Sequence, residues 1–254
     1  MTTQHDQGLG ALAQRLRADD PDRWAMAMLA AAPARPRLLT LYALNAELAR
    51  TALSARDPLL AGMRVQWWVD RLEALRAAPP PPHELLSPLW SAWGADAARF
   101  APLAQARLHD ADREPFAGPE AVVAYADATG AALMAHAAQA LGAADGAALR
   151  AQGRGAALVA WLRARPALQE LRLGLARPKP DFLQSLAATA TAAFRSAAAS
   201  RRAIPRAAAP ALFPGAAIRN ALTAGTAGTD PAAVSEFTRR AALARLALTG
   251  RWWL

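Results

Sequence analysis

The chain contains no cysteine. A disulfide framework, a thiolate metal site and a cysteine nucleophile are therefore excluded. Lysine is nearly absent too: Lys179 is the only one, so the basic side chains are otherwise arginine. Aromatic residues make up 6% of a chain that is 54% apolar, and alanine supplies much of the difference. Alanine has the best intrinsic helix propensity, whereas Val and Ile are sparse and no alternating strand pattern is found, so helix is expected throughout. No uninterrupted apolar run of about 18 residues occurs, so no transmembrane helix is expected. The opening MTTQHDQGLGALAQRLRADDP has no basic segment followed by an apolar core, so no secretory signal is read. These absences predict a cytoplasmic protein, free or peripherally held on the inner face of the membrane.

What remains is strongly basic, with a net charge of +9. An arginine- and alanine-heavy, lysine-poor balance is what GC-rich coding produces, so it is not read as a nucleic-acid footprint, and no nucleic-acid partner is expected. It is compatible with docking on anionic lipid or diphosphate. At 254 residues the chain can bury a full core as one domain, residues 1–254. Helices are expected over residues 8–17, from an Asp22 cap to before Pro33, over 38–53, and from Asp57 and Pro58 to 75. The tetraproline stretch 79–88 makes a stiff connector. Further helices are expected over 89–108, over 119–141 with Gly142 as the stop, and over 147–162, closed by Pro166. A loop with Pro178 and Pro180 leads to an Asp181-capped helix reaching 202. Pro205, Pro210 and Pro214 punctuate the next stretch, 224–231 is a turn, and a final helix spans 231–248. No internal repeat is present.

The segment 40–75, TLYALNAELARTALSARDPLLAGMRVQWWVDRLEAL, is the most informative. On a 100° wheel Leu41, Leu44 and Leu48 share a face, with Asn45 among them. In the second helix Ala61, Val65, Trp68, Leu72 and Leu75 make an apolar face. Gln66, Asp70 and Glu73 line the opposite side, with Trp67 at its edge. Such a stripe can line a cavity, and it can equally be a solvated surface. Trp67 and Trp68 point about 100° apart, so Trp68 reads as core and Trp67 as core, cavity wall or contact surface.

YALNAELA and GMRVQWWVDRLEAL carry a resemblance to the squalene/phytoene synthase family. They look closest to the branch lacking its metal-binding aspartates, which includes a mitochondrial complex I assembly factor. The resemblance continues more weakly through 121–142 and 157–166, and faintly in SEFTRRAALARLALTGRWW. It implies an all-α, isoprenoid-synthase-like helical bundle. Active enzymes of the family join two prenyl diphosphates head to head, using two aspartate-rich motifs that hold Mg²⁺ with the phosphates. With Tyr42 and Ala43 matched to the family's aromatic–Ala pair, the first motif's acids fall on Ala49, Arg50 and Leu53. With Leu162 and Arg163 matched to its Leu–Arg, the second motif's acids fall on Ala164 and Leu168, and Ala160 replaces the usual asparagine. No carboxylate stands at any of these places.

Other acids are weighed as replacements. Glu47 is three residues from Arg50 and can pair with it on a helix surface. Asp70 and Glu73 lie with Gln66, but a metal there needs a third ligand from another helix. Asp127, between Tyr125 and Thr129, is a candidate by position only. Asn45, if buried, needs a hydrogen-bond partner and reads as structural. Arg64 and Arg163 complete the candidate cavity or partner-site residues: Asn45, Glu47, Arg64, Gln66, Trp67, Asp70, Glu73, Asp127 and Arg163.

The histidines, His5, His83, His109 and His136, show no metal spacing, and QGRGAALVA is too incomplete for a dinucleotide loop. Two arginine clusters, Arg201/Arg202/Arg206 and Arg239/Arg240/Arg245/Arg251, are read as solvated surface or as contacts to an anionic membrane or acidic partner. The expectation is a non-catalytic binding or assembly protein, with complex I biogenesis implied by the resemblance alone. The alternatives are a diverged head-to-head prenyltransferase and an isoprenoid- or lipid-binding protein. No catalytic residue, metal ligand or cofactor is assigned; Mg²⁺ enters only under the prenyltransferase alternative. The partner is a protein at the membrane or an apolar isoprenoid or lipid ligand.

Overall fold

The computed structural model describes residues 2–177 and 179–254, with side chains from residue 8 onward. Pro178 and the side chain of His5 thus lie outside the described residues. The described elements are helices; the one β feature among them is an isolated bridge between Phe116 and Leu175. The chain forms two compact units, residues 1–112 and 113–254.

The first unit contains α1 (Thr2–Asp19), α2 (Pro21–Leu29), α3 (Arg35–Leu53) and α4 (Pro58–Ala74). Asp20, rather than Asp22, caps α2: its carboxylate accepts from the Arg23 N–H at 3.0 Å. Asp57 caps α4, accepting from the Leu59 N–H at 2.9 Å, and Pro58 occupies the position where its missing N–H costs nothing. The apolar faces fall where the wheel puts them. Leu41, Leu44 and Leu48 are buried on α3, and Ala61, Val65, Trp68, Leu72 and Leu75 are buried on and just after α4. A knot of small residues, Ala52, Ala61, Val65 and Ala111, lets α3 and α4 approach closely.

The single helix expected over 89–108 is instead broken into α5 (Leu86–Trp93), a 3-10 helix (Gly94–Phe100), α6 (Ala101–Gln105) and α7 (Leu108–Asp112). Gly94 adopts φ 56°, ψ −142°, which a side chain would oppose, and Pro102 restarts the helix from its first turn.

In the second unit the expected 119–141 helix contains a π turn (Asp127–Ala131) between α8 (Pro119–Ala126) and α9 (Ala132–Ala140). Thr129 Oγ1 donates to the Tyr125 carbonyl at 2.7 Å, competing with the regular ladder. α10 (Ala147–Glu170) runs through Pro166 instead of ending before it. Pro166 lies on the exposed side, and the ladder bond it removes is one of many in a helix held along its length by α11 (Pro180–Ala199). α12 (Ile218–Thr226) follows the proline-punctuated stretch and takes in 224–226, part of the turn expected over 224–231. It is held by packing: Ile218, Ala221 and Gly225 are buried, and a Cβ on Gly225 would meet Ala187 Cβ at 2.9 Å. α13 (Glu236–Thr249) starts later than expected because Ser235 caps it, accepting from the Thr238 N–H at 3.2 Å.

Candidate functional site

A cavity of about 620 Å³ opens in the first unit beside the outward side of α4. Its floor follows from the α3–α4 corner. Trp68 is turned into the core, 5% exposed, and its indole N–H donates to Thr51 Oγ1 at 3.2 Å. The Thr51 hydroxyl lies 3.3 Å from a Glu47 carboxylate oxygen, to which it donates. Leu60, Met63 and Trp67 supply the apolar wall, and Trp67 is 39% exposed. The indoles of Trp67 and Trp68 meet edge to face with centroids 5.0 Å apart, as side chains about 100° apart on one helix can. Arg71 covers the Trp67 ring at 5.5 Å.

His83 closes the group, its ring 5.8 Å from Trp67 and 5.6 Å from Trp68. His83 Nδ1 accepts from the Leu85 and Leu86 N–H groups at 3.1 and 3.2 Å, which fixes the ring at the start of α5. The polar rim is self-satisfied. Arg50 pairs with Glu47 on α3. Arg64 donates to Ser54 Oγ at 2.9 Å, and Ser54 donates to the Thr51 carbonyl at 2.7 Å.

Of the residues singled out in the sequence, this arrangement gathers Glu47, Arg64 and Trp67. Gln66, Asp70 and Glu73 do not line the cavity: they are exposed, and the Gln66 amide donates to Asp70 at 2.7 Å along α4. Asn45 is 7% exposed, and its Oδ1 accepts from Arg107 at 3.3 Å. Arg107 also binds Asp110 at 2.9 Å, so the asparagine helps hold a half-buried cation between α3 and α7. Two candidates belong to the second unit. Asp127 accepts a bidentate pair from Arg154, at 2.9 and 2.6 Å, and this partner holds the Arg154 guanidinium above its ordinary pKa. Arg163 donates to the Ala216 carbonyl.

Leu60, Met63, Thr51, Ser54 and His83 are not singled out for this site by the sequence. The spacing Leu60–Met63–Trp67, which repeats every three to four residues, is the available signal. Metal spacing alone sets His83 aside, although a histidine can serve as an aromatic wall.

The donor set does not fit a divalent cation. Among the described residues no three His, Asp or Glu side chains converge to hold one. The cavity's one carboxylate, Glu47, is engaged by Arg50, and Asp127 is engaged by Arg154.

An all-α chain with this element order defines the isoprenoid synthase fold. A crystal structure of a dehydrosqualene synthase in complex with ligand superposes with a TM-score of 0.69, covering 96% of each chain at 13% identity. The squalene/phytoene synthase profile matches residues 16–174, and the chain belongs to that family. No curated protein sequence matches.

Proposed function

We infer that the chain is a non-catalytic member of the squalene/phytoene synthase family that works as a binding or assembly protein. One observation carries this reading. Arg50 stands where the resemblance puts a metal-binding acid, and it neutralises Glu47, the carboxylate nearest to taking over. A metal-dependent ionisation of diphosphate needs several free carboxylates on facing helices. The apolar wall of Leu60, Met63 and Trp67 supports recognition of an apolar group, either an isoprenoid or lipid chain or a side chain of a protein partner. The resemblance to the assembly-factor branch favours the protein partner and supports a role in respiratory complex I biogenesis.

Two measurements test this. Purified protein with Mg²⁺ and farnesyl diphosphate should release no diphosphate; metal-dependent release would overturn the reading. Capture from a native membrane extract should depend on Trp67. Trp67→Ala should lose the captured species while melting close to wild type, because Trp67 is 39% exposed. Trp68→Ala should cost about 3–5 kcal/mol, as for a buried large aromatic.

A further inference from the structure

We propose that α13 and the arginine-lined cavity beside it form a docking surface for an anionic phospholipid membrane. This inference is independent of the α4 cavity.

α13 has two apolar faces on opposite sides. One packs inward: Leu246 is buried, with Ala242 and Leu243 half-buried. The other faces solvent. Phe237 is 82% exposed and Leu248 81% exposed, and Ala241 and Ala244 lie between them, also exposed. Residues 237, 241, 244 and 248 fall within an arc of about 60° on a helix of 100° per residue, so they make one continuous stripe along its length. A helix held to its own domain by one face does not need a second apolar stripe there.

The cations stand where a membrane would use them. Arg240 borders the stripe on one side and Arg245 on the other, each roughly 70° from its centre. Arginines at the edges of an apolar stripe can lay their stems on acyl chains and place their guanidinium groups among phosphates. The one acid on the helix, Glu236, is shared by Arg239 and Arg240 at 2.9 and 2.8 Å, so the helix keeps an excess of positive charge.

Arg245 also lines a cavity of about 610 Å³, together with Arg219, Arg251, Phe213 and Trp253. No Asp or Glu side chain lines this cavity. The Arg201 and Arg251 guanidinium groups lie over the Trp253 ring at 5.6 and 5.8 Å. This is a recess with three arginines and an aromatic wall, opening beside an apolar stripe. Its chemistry fits a phosphate carrying an acyl tail.

The charge of the chain is segregated to match. Residues 1–112 carry twelve arginines against twelve acids, whereas residues 113–254 carry seventeen basic side chains against eight acids. Residues 201–254 alone hold eight arginines against two acids. No helix among the described residues is long and apolar enough to cross a membrane, so contact through α13 would be peripheral.

The test is co-sedimentation of the 254-residue protein with vesicles of phosphatidylcholine alone and of phosphatidylcholine mixed with phosphatidylglycerol. The protein should sediment with the anionic vesicles only, and less as salt rises. Phe237→Ser with Leu248→Ser should weaken partitioning about tenfold, and Arg245→Gln and Arg251→Gln about fivefold each. Leu59→Ser, on the first unit, should bind like the wild type. Far-ultraviolet circular dichroism and melting of each variant should match the wild type, since Phe237 and Leu248 are exposed. Equal binding to both vesicle types, binding to neither, or anionic binding that survives the α13 and arginine substitutions would each overturn the proposal. Loss of binding in Leu59→Ser alone would do the same. Inorganic phosphate at millimolar concentration should compete only weakly; full release by it would assign the recess to a free anion instead of a membrane.

Discussion

Tyr42 is 2% exposed on α3, and its hydroxyl has no hydrogen-bond partner among the described residues. Burial raises its pKa well above the ordinary phenol value of 10.0. Between the unfolded and folded pKa values the native state holds a proton that the unfolded state has lost. Stability therefore falls as pH rises above about 10. Tyr42→Phe removes a desolvated, unpaired hydroxyl and keeps the ring, so it should raise stability by about 1 kcal/mol at neutral pH. It should also flatten the loss of stability above about pH 10. Urea melts of the two proteins across pH check both parts, and a variant less stable than wild type would show that the hydroxyl is bonded. The sequence marks Tyr42 only as part of a resemblance; its isolation depends on which groups surround it. The same holds for Asn45. Its place on an apolar stripe shows that it needs a partner, but Arg107 lies 62 residues away and no local pattern connects them.

At the scale of elements, the legible parts are those whose ends are written in local chemistry. Asp57 and Pro58 open α4, and its five-residue apolar face is buried as the wheel requires. Elements decided by packing are not legible. α12 forms on α11 despite a poor helical sequence, and α10 continues past Pro166 for the same kind of reason. Where α10 crosses the π turn the approach is set by glycine: a Cβ on Gly153 would lie 2.9 Å from Ala131 Cα and 3.0 Å from the Ala131 carbonyl oxygen. Alanine in mid-helix normally gains about 0.5–1 kcal/mol over glycine. Here the clash is with backbone, which cannot rotate away, so it outweighs that gain. Gly153→Ala should destabilise by about 1–3 kcal/mol, the usual cost of overpacking. Gly62→Ala, inside α4 with nothing within 4 Å of its Cβ position, is the control and should not share the loss. Equal stability of the two variants in thermal melts would show that the crossing relaxes.

For the whole molecule, the fold class is legible because alanine abundance and helical periodicity agree from end to end, whereas the distribution of charge is not. The +9 reads as a by-product of composition, yet all of it lies in residues 113–254. Ion pairs there, such as Arg154–Asp127 and Arg165–Asp230, use some of the arginines, but exposed pairs contribute only about 0–1 kcal/mol each. The remaining cations repel one another across the surface of that unit, which opposes the compact state. Sodium chloride screens both effects, with a Debye length of about 10 Å at 0.1 M. The net excess of one sign means that relief of repulsion should win. Raising sodium chloride from low to about 0.5 M should therefore raise the melting temperature by roughly 2–4 °C, the equivalent of about 1 kcal/mol for a chain of this size. Arg202→Gln, which removes an exposed cation from the densest cluster, should give a few tenths of a kcal/mol at low salt and nothing at high salt. A melting temperature that falls steadily from the lowest salt upward would show that attractive pairs, rather than the excess of arginine, set the electrostatic balance of the fold.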